Sequence, residues 1–68
     1  MEFTLKRARN FRNLSQDDMA KHLNCTRDTY RKWENDPSKI TIANAKKICS
    51  ILDMPVSAIF FGEEIYKL

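Results

Sequence analysis

This chain of 68 residues is poor in the residues that break or cross-link structure. It has one Gly, two Pro, two Cys and one His. So little Gly and Pro excludes a loop-rich or collagen-like chain, and no segment is repetitive or low in complexity. Two cysteines, Cys25 and Cys49, make no disulfide framework and have no partner at zinc-ligand spacing, so we expect free thiols and no metal. One His and one Gly leave no Ser/His/Asp arrangement and no glycine-rich phosphate loop, so no enzyme and no cofactor is expected. No apolar run approaches the roughly 18 residues of a membrane span, and the start, MEFTLKRARN, lacks the apolar stretch of a signal peptide. A cytoplasmic protein with no membrane contact is the expectation.

What is present is ordinary for one folded domain: 43% hydrophobic and 31% charged residues. The formal net charge is only +3, but it is unevenly placed. Residues 1–35 hold eight Lys or Arg against five Asp or Glu; residues 36–68 hold four of each. The positive excess therefore lies entirely in the first half, where it would draw in polyanions.

Apolar spacing is helical nearly throughout. Thr4 can cap a first helix with Leu5, Ala8 and Arg12 on one face, and Asn13 can end it in the left-handed conformation. Ser15 can cap a second, with Asp17 and Asp18 in its first turn, where the helix dipole favours acids. Met19, Ala20 and Leu23 are its inner face, and His22 falls on the solvent side. Asn24 and Cys25 make a turn, and Thr26 caps a third helix whose inner face is Tyr30 and Trp33. The segment NDPSK, 35–39, is a loop by composition. Thr41 caps a fourth helix carrying Ile42, Ala45, Ile48, Cys49 and Leu52. Pro55 suits the first turn of a short fifth helix with Val56, Ile59 and Phe60, which Gly62 stops. The fold expected is all-α: a compact bundle of five short helices, with residues 1–62 as the domain and 63–68 as a tail.

The second and third helices, joined at Asn24 with the small Ala20 where they approach, make a helix-turn-helix. Here the chain resembles the lambda-repressor-like family, the Cro/repressor-type or XRE proteins. The resemblance rests on Leu5 and Arg9, Leu14-Ser15-Gln16, Met19-Ala20, Leu23, Thr26 and Trp33-Glu34-Asn35. It continues through the apolar stripe of the fourth helix and Val56 to Gly62. The chain departs from the family at Asn24 and Asp36, where Gly is usual, at Tyr30 and Trp33, where aliphatic residues are usual, and at Phe11, normally polar.

The resemblance implies a third helix lying in the major groove with its N-terminal residues at base edges. Position by position, Arg27, Asp28 and Lys32 match the base-contacting places. Arg27 and Lys32 suit guanine O6 and N7, and Asp28 could accept from cytosine N4. Thr29 and Arg31 flank them, Thr26 caps the helix beside them, and Gln16 matches a phosphate-binding place. Asn35 and Lys39 are further phosphate candidates. Against these stand plainer roles: a charge run is ordinarily a solvated face, and an acid such as Asp28 in a first turn stabilises its helix unaided. Arg9 and Glu34 match a family ion pair that fixes the angle of the reading helix.

The resemblance also implies double-stranded operator DNA as partner, a homodimer, and no small-molecule ligand. Candidate interface residues are Phe11, Phe61, Ile65, Tyr66 and Leu68, together with Met54, Val56 and Phe60; any of these could equally be core. The leading function is a sequence-specific transcriptional regulator, a Cro-like repressor of phage or prophage type, whose brevity leaves no room for a ligand domain. The rival, from another class, is a protein-binding modulator of the same fold: an antirepressor that binds another repressor, or an antitoxin.

Overall fold

The computed structural model describes residues 3–60. In chain order these are strand β1 (Phe3–Thr4), helices α1 (Leu5–Phe11), α2 (Gln16–His22) and α3 (Arg27–Asn35), a 3₁₀ turn (Pro37–Lys39), helix α4 (Ile42–Leu52), a second 3₁₀ turn (Val56–Ala58) and strand β2 (Ile59–Phe60).

Every α-helix starts on a hydroxyl cap. The side chains of Thr4, Ser15, Thr26 and Thr41 accept from the backbone N–H of Arg7, Asp18, Thr29 and Asn44. Each such cap is worth about 1 kcal/mol over alanine. At Ser15 the exchange is reciprocal, since Asp18 accepts from the Ser15 N–H at 2.9 Å. Three helices end alike. Asn13, Asn24 and Asp53 take φ of 59°, 56° and 53°. The residue after each sends its N–H back five positions: Leu14 to Arg9, Cys25 to Ala20, Met54 to Cys49. Helix α3 stops differently. Asp36, at φ −139° and ψ 86°, leaves the helical region and accepts the Ser38 N–H on its carboxylate, starting the 3₁₀ turn.

Leu5, Ala8, Met19, Ala20, Leu23, Tyr30, Ile40, Ala45, Ile48, Cys49, Leu52 and Ile59 form one core, with Leu14, Trp33, Met54 and Val56 packed against it. Ala20 is buried at the α2–α3 packing, as its small size predicts.

Three expectations are corrected. Among the described residues there are four α-helices, not five. Val56 and Ile59 sit at helical spacing, but Pro55 is extended and only a 3₁₀ turn follows it. The chain then runs as β2 beside β1, parallel, pairing Phe3 with Ile59 and Thr4 with Phe60. The fold is mostly helical, as an all-α helix-turn-helix domain is, with one two-residue strand pair added. Ile42 is 36% exposed instead of lying on the inner stripe of α4, because it starts the helix one turn before the buried Ala45. Arg12 is exposed, and Arg9 takes the buried place on α1. The Arg12 guanidinium instead donates to the Leu52 and Asp53 carbonyls at 2.7 and 3.2 Å, satisfying the end of α4. Gly62 and the interface candidates Phe61, Ile65, Tyr66 and Leu68 lie outside the described residues, as does the 63–68 tail.

Candidate nucleic-acid interface

At about 100° per residue, the side chains of α3 divide into two arcs. Tyr30, Trp33 and Glu34 face inward, with Tyr30 fully buried. Arg27, Asp28, Arg31, Lys32 and Asn35 are all exposed and share the outward arc. Thr29 lies half-buried at the edge, its N–H and hydroxyl both held by the Thr26 hydroxyl. The helix thus presents three cations, one acid and one amide, with no apolar side chain among them.

The inward arc is tied down by a polar junction. Arg9 Nε meets Glu34 Oε2 at 2.6 Å, and Arg9 Nη2 donates to Glu34 Oε1 at 3.3 Å. Arg9 Nη1 donates to the Leu14 carbonyl at 2.7 Å, so one guanidinium clamps α1, the α1–α2 connection and α3. The two side chains are only 8% and 4% exposed. The pair expected at Arg9 and Glu34 is therefore present and shielded. Burial pushes the Glu34 carboxyl pKa up, but the donors from Arg9 and Gln16 outweigh it and hold the group below its ordinary value. The bond to Glu34 raises the Arg9 pKa in turn. Tyr30 lies beside this junction, and burial, reinforced by the Glu34 carboxylate, drives its hydroxyl pKa far up.

Gln16 belongs partly to the junction. It is half-buried, and its Nε2 donates to Glu34 Oε1 at 3.1 Å. One of its two amide N–H groups is thereby directed inward, leaving the other for an outside acceptor.

The outward arc is held loosely. Arg27 Nε lies 3.9 Å from Asp17 Oδ1, and Arg31 Nη2 lies 3.5 Å from Asp28 Oδ1. Lys32 forms no ion pair among the described residues. At the C-terminal end of α3 is an open cleft of about 450 Å³ lined by Thr29, Lys32, Trp33, Asn35, Asp36 and Lys39. It gathers four of the candidate contact residues around the edge of the Trp33 indole, which packs edge-on to Tyr30 at 6.3 Å. The sequence favours core over a stacking platform for Trp33 and marks Asp17 only as a helix-dipole acid. A clue to the second was available: Asp17 and Arg27 open the two helices that the turn brings together.

Phe11 is 62% exposed. It stacks on Phe3 at 5.9 Å, with the Arg12 and Arg7 guanidiniums set over the two rings. This cluster is built on β1 and α1, apart from the outward arc of α3. Cys25 and Cys49 are free, their thiol pKa raised by burial. Among the described residues no group of His, Cys, Asp or Glu could hold a metal, and no helix is long and apolar enough to cross a membrane.

Two short helices braced across a small residue, the second with a polar and basic outer face, define a helix-turn-helix domain. A family model described as Helix-turn-helix matches residues 5–59, and the chain belongs to this lambda-repressor-like, XRE-type family of DNA-binding regulators. No curated protein and no solved structure matches it.

Proposed function

We propose that the protein is a Cro-like repressor of phage or prophage type. It binds operator DNA as a homodimer, places α3 in the major groove, and reads bases with Arg27, Asp28 and Lys32. Gln16, Thr26, Thr29, Arg31, Asn35 and Lys39 contact phosphates or flanking groups. The observation that carries this reading is the contrast between the two arcs of α3: one locked by a shielded ion pair, the other entirely polar and open. Such a helix is rigid in angle and free in surface, which groove entry requires. Two protomers then address half-sites about 34–36 Å apart.

The test is a fluorescence-anisotropy titration of the full chain against duplexes from the DNA flanking its gene, at several salt concentrations. Affinity for one duplex should exceed non-specific binding by about 10³-fold or more and fall steeply with salt. Equal, weak binding to every duplex would sink the reading.

One observation favours the rival. The Phe3–Phe11 stack, overlaid by two guanidiniums, is the kind of surface that anchors a protein partner. In that reading the chain captures another repressor or a toxin. Phe11→Ser would then abolish capture of that protein while leaving Arg27-dependent DNA binding intact.

A further inference from the structure

Arg27 and Lys32 are both candidates for guanine, yet their settings differ. Lys32 stands alone. Arg27 has a carboxylate beside it from another helix, and the contact is made through Nε. That choice of atom matters. Asp17 Oδ1 approaches the inner edge of the guanidinium at 3.9 Å, and no bond engages Nη1 or Nη2 among the described residues. A guanine presents O6 and N7 side by side and is met by two parallel N–H groups of an arginine. The pair left open by Asp17 can make that fork.

Asp17 is also well placed to hold its position. It lies in the first turn of α2, inside the Ser15–Asp18 capping exchange that fixes the start of that helix. Both side chains are largely in water, 64% and 62% exposed, so in the free protein the pair is weak. When DNA displaces that water the same pair strengthens, because charges interact more strongly in a drier medium.

Resting on the DNA-reading role proposed above, we infer that Asp17 is a positioning residue. It buttresses the Arg27 guanidinium from behind, so that its two Nη groups meet one guanine edge. It touches no base itself. An acid at the DNA-facing edge adds repulsion to every phosphate, and Asp17 makes up for this only where Arg27 finds its guanine. Its effect is on selectivity, not on attraction to DNA.

The experiment is selection of the full chain, and of Asp17→Asn, Asp17→Glu, Arg27→Ala and Lys32→Ala, from a randomised duplex library read by sequencing. Affinity for one non-specific duplex and melting temperature are measured alongside. Arg27→Ala identifies the position that Arg27 reads. Asp17→Asn should lose about threefold to fivefold of the guanine preference at that position and none at the Lys32 position, the range expected for one exposed ion pair. Its non-specific affinity should not fall, and Asp17→Glu should recover part of the preference. A merely helix-stabilising acid would move the melting temperature and leave base preference alone. The inference is overturned if Asp17→Asn keeps the full preference, or if Arg27→Ala costs preference nowhere while the parent chain still selects a sequence. A parent chain that selects no sequence overturns the DNA-reading role itself, and the buttress with it.

Discussion

Arg9–Glu34 and Arg27–Asp17 are built from the same two groups, an arginine and a carboxylate on different helices. The first is 2.6 Å long with side chains 8% and 4% exposed; the second is 3.9 Å long with side chains 64% and 62% exposed. The first is completed by the Leu14 carbonyl and Gln16, so that few of its donors and acceptors face nothing. Among the described residues the second has no further partner. Removing half of a shielded pair strands a charge, whereas removing half of an exposed one hands the survivor to water. On the reading proposed above the two pairs divide the work: one holds α3 against α1, the other positions the side chain at its exposed start.

The largest expected effect tests the shielded pair. Arg9→Ala or Glu34→Ala should cost about 3–5 kcal/mol, much of the total stability of a domain this small. Urea unfolding measures it, and an unchanged melting temperature in Arg9→Ala would refute the brace. The double replacement Arg9→Met, Glu34→Leu should be less damaging than either alanine, since it strands no charge.

Next comes pH. The Glu34 carboxyl is held below its ordinary 4.5, so its contribution is complete above that pH and is lost as pH falls through the lower folded value. Asp18, lowered by the Ser15 N–H, and Asp36, lowered by the Ser38 hydroxyl, act in the same direction. Melting temperature should therefore drop on acidification below about 4.5, and the part due to Glu34 should vanish in Glu34→Gln.

The exposed side of the comparison predicts a different pattern. Arg27→Ala and Lys32→Ala should each weaken operator binding by about 1–3 kcal/mol, while changing folding stability by no more than about 0.5 kcal/mol. A loss of stability equal to the loss of binding would erase the division of labour drawn above. The smallest effect is at the turn between the two. Asn24 holds φ of 56°, where glycine has no side-chain penalty, so Asn24→Gly should raise stability by about 0.5–1 kcal/mol in thermal melts.

Much of this was legible from sequence because the cues are local. A hydroxyl precedes each periodic segment at Thr4, Ser15, Thr26 and Thr41, and Asn closes two of the helices. Pro55 marks the end of α4 but not that Asp53 would take the left-handed conformation, and that end is closed partly by Arg12, forty-one positions away. The strand pair was invisible for a related reason. Each strand has two residues, too few to show alternation, and its partner lies at the other end of the chain. Val56 and Ile59 copy a helical interval, and only the pairing of β2 with β1 breaks the tie. At the candidate site, the Arg9–Glu34 junction was legible only through family resemblance, because two residues 25 apart carry no local signal. The inward bond of Gln16 and the approach of Asp17 to Arg27 depend on how two helices cross, which no spacing along one helix reveals.

The β1–β2 ladder has a mechanical consequence. It joins Phe3 to Ile59 and Thr4 to Phe60 with both strands running the same way. A force applied to the two ends of the described chain therefore loads this ladder in shear, before any helix packing carries tension. A tether or fusion at either end meets this clasp first. The α2–α3 unit lies inside the loop that the clasp closes, so strain from the ends reaches α3 only once those two residue pairs have let go.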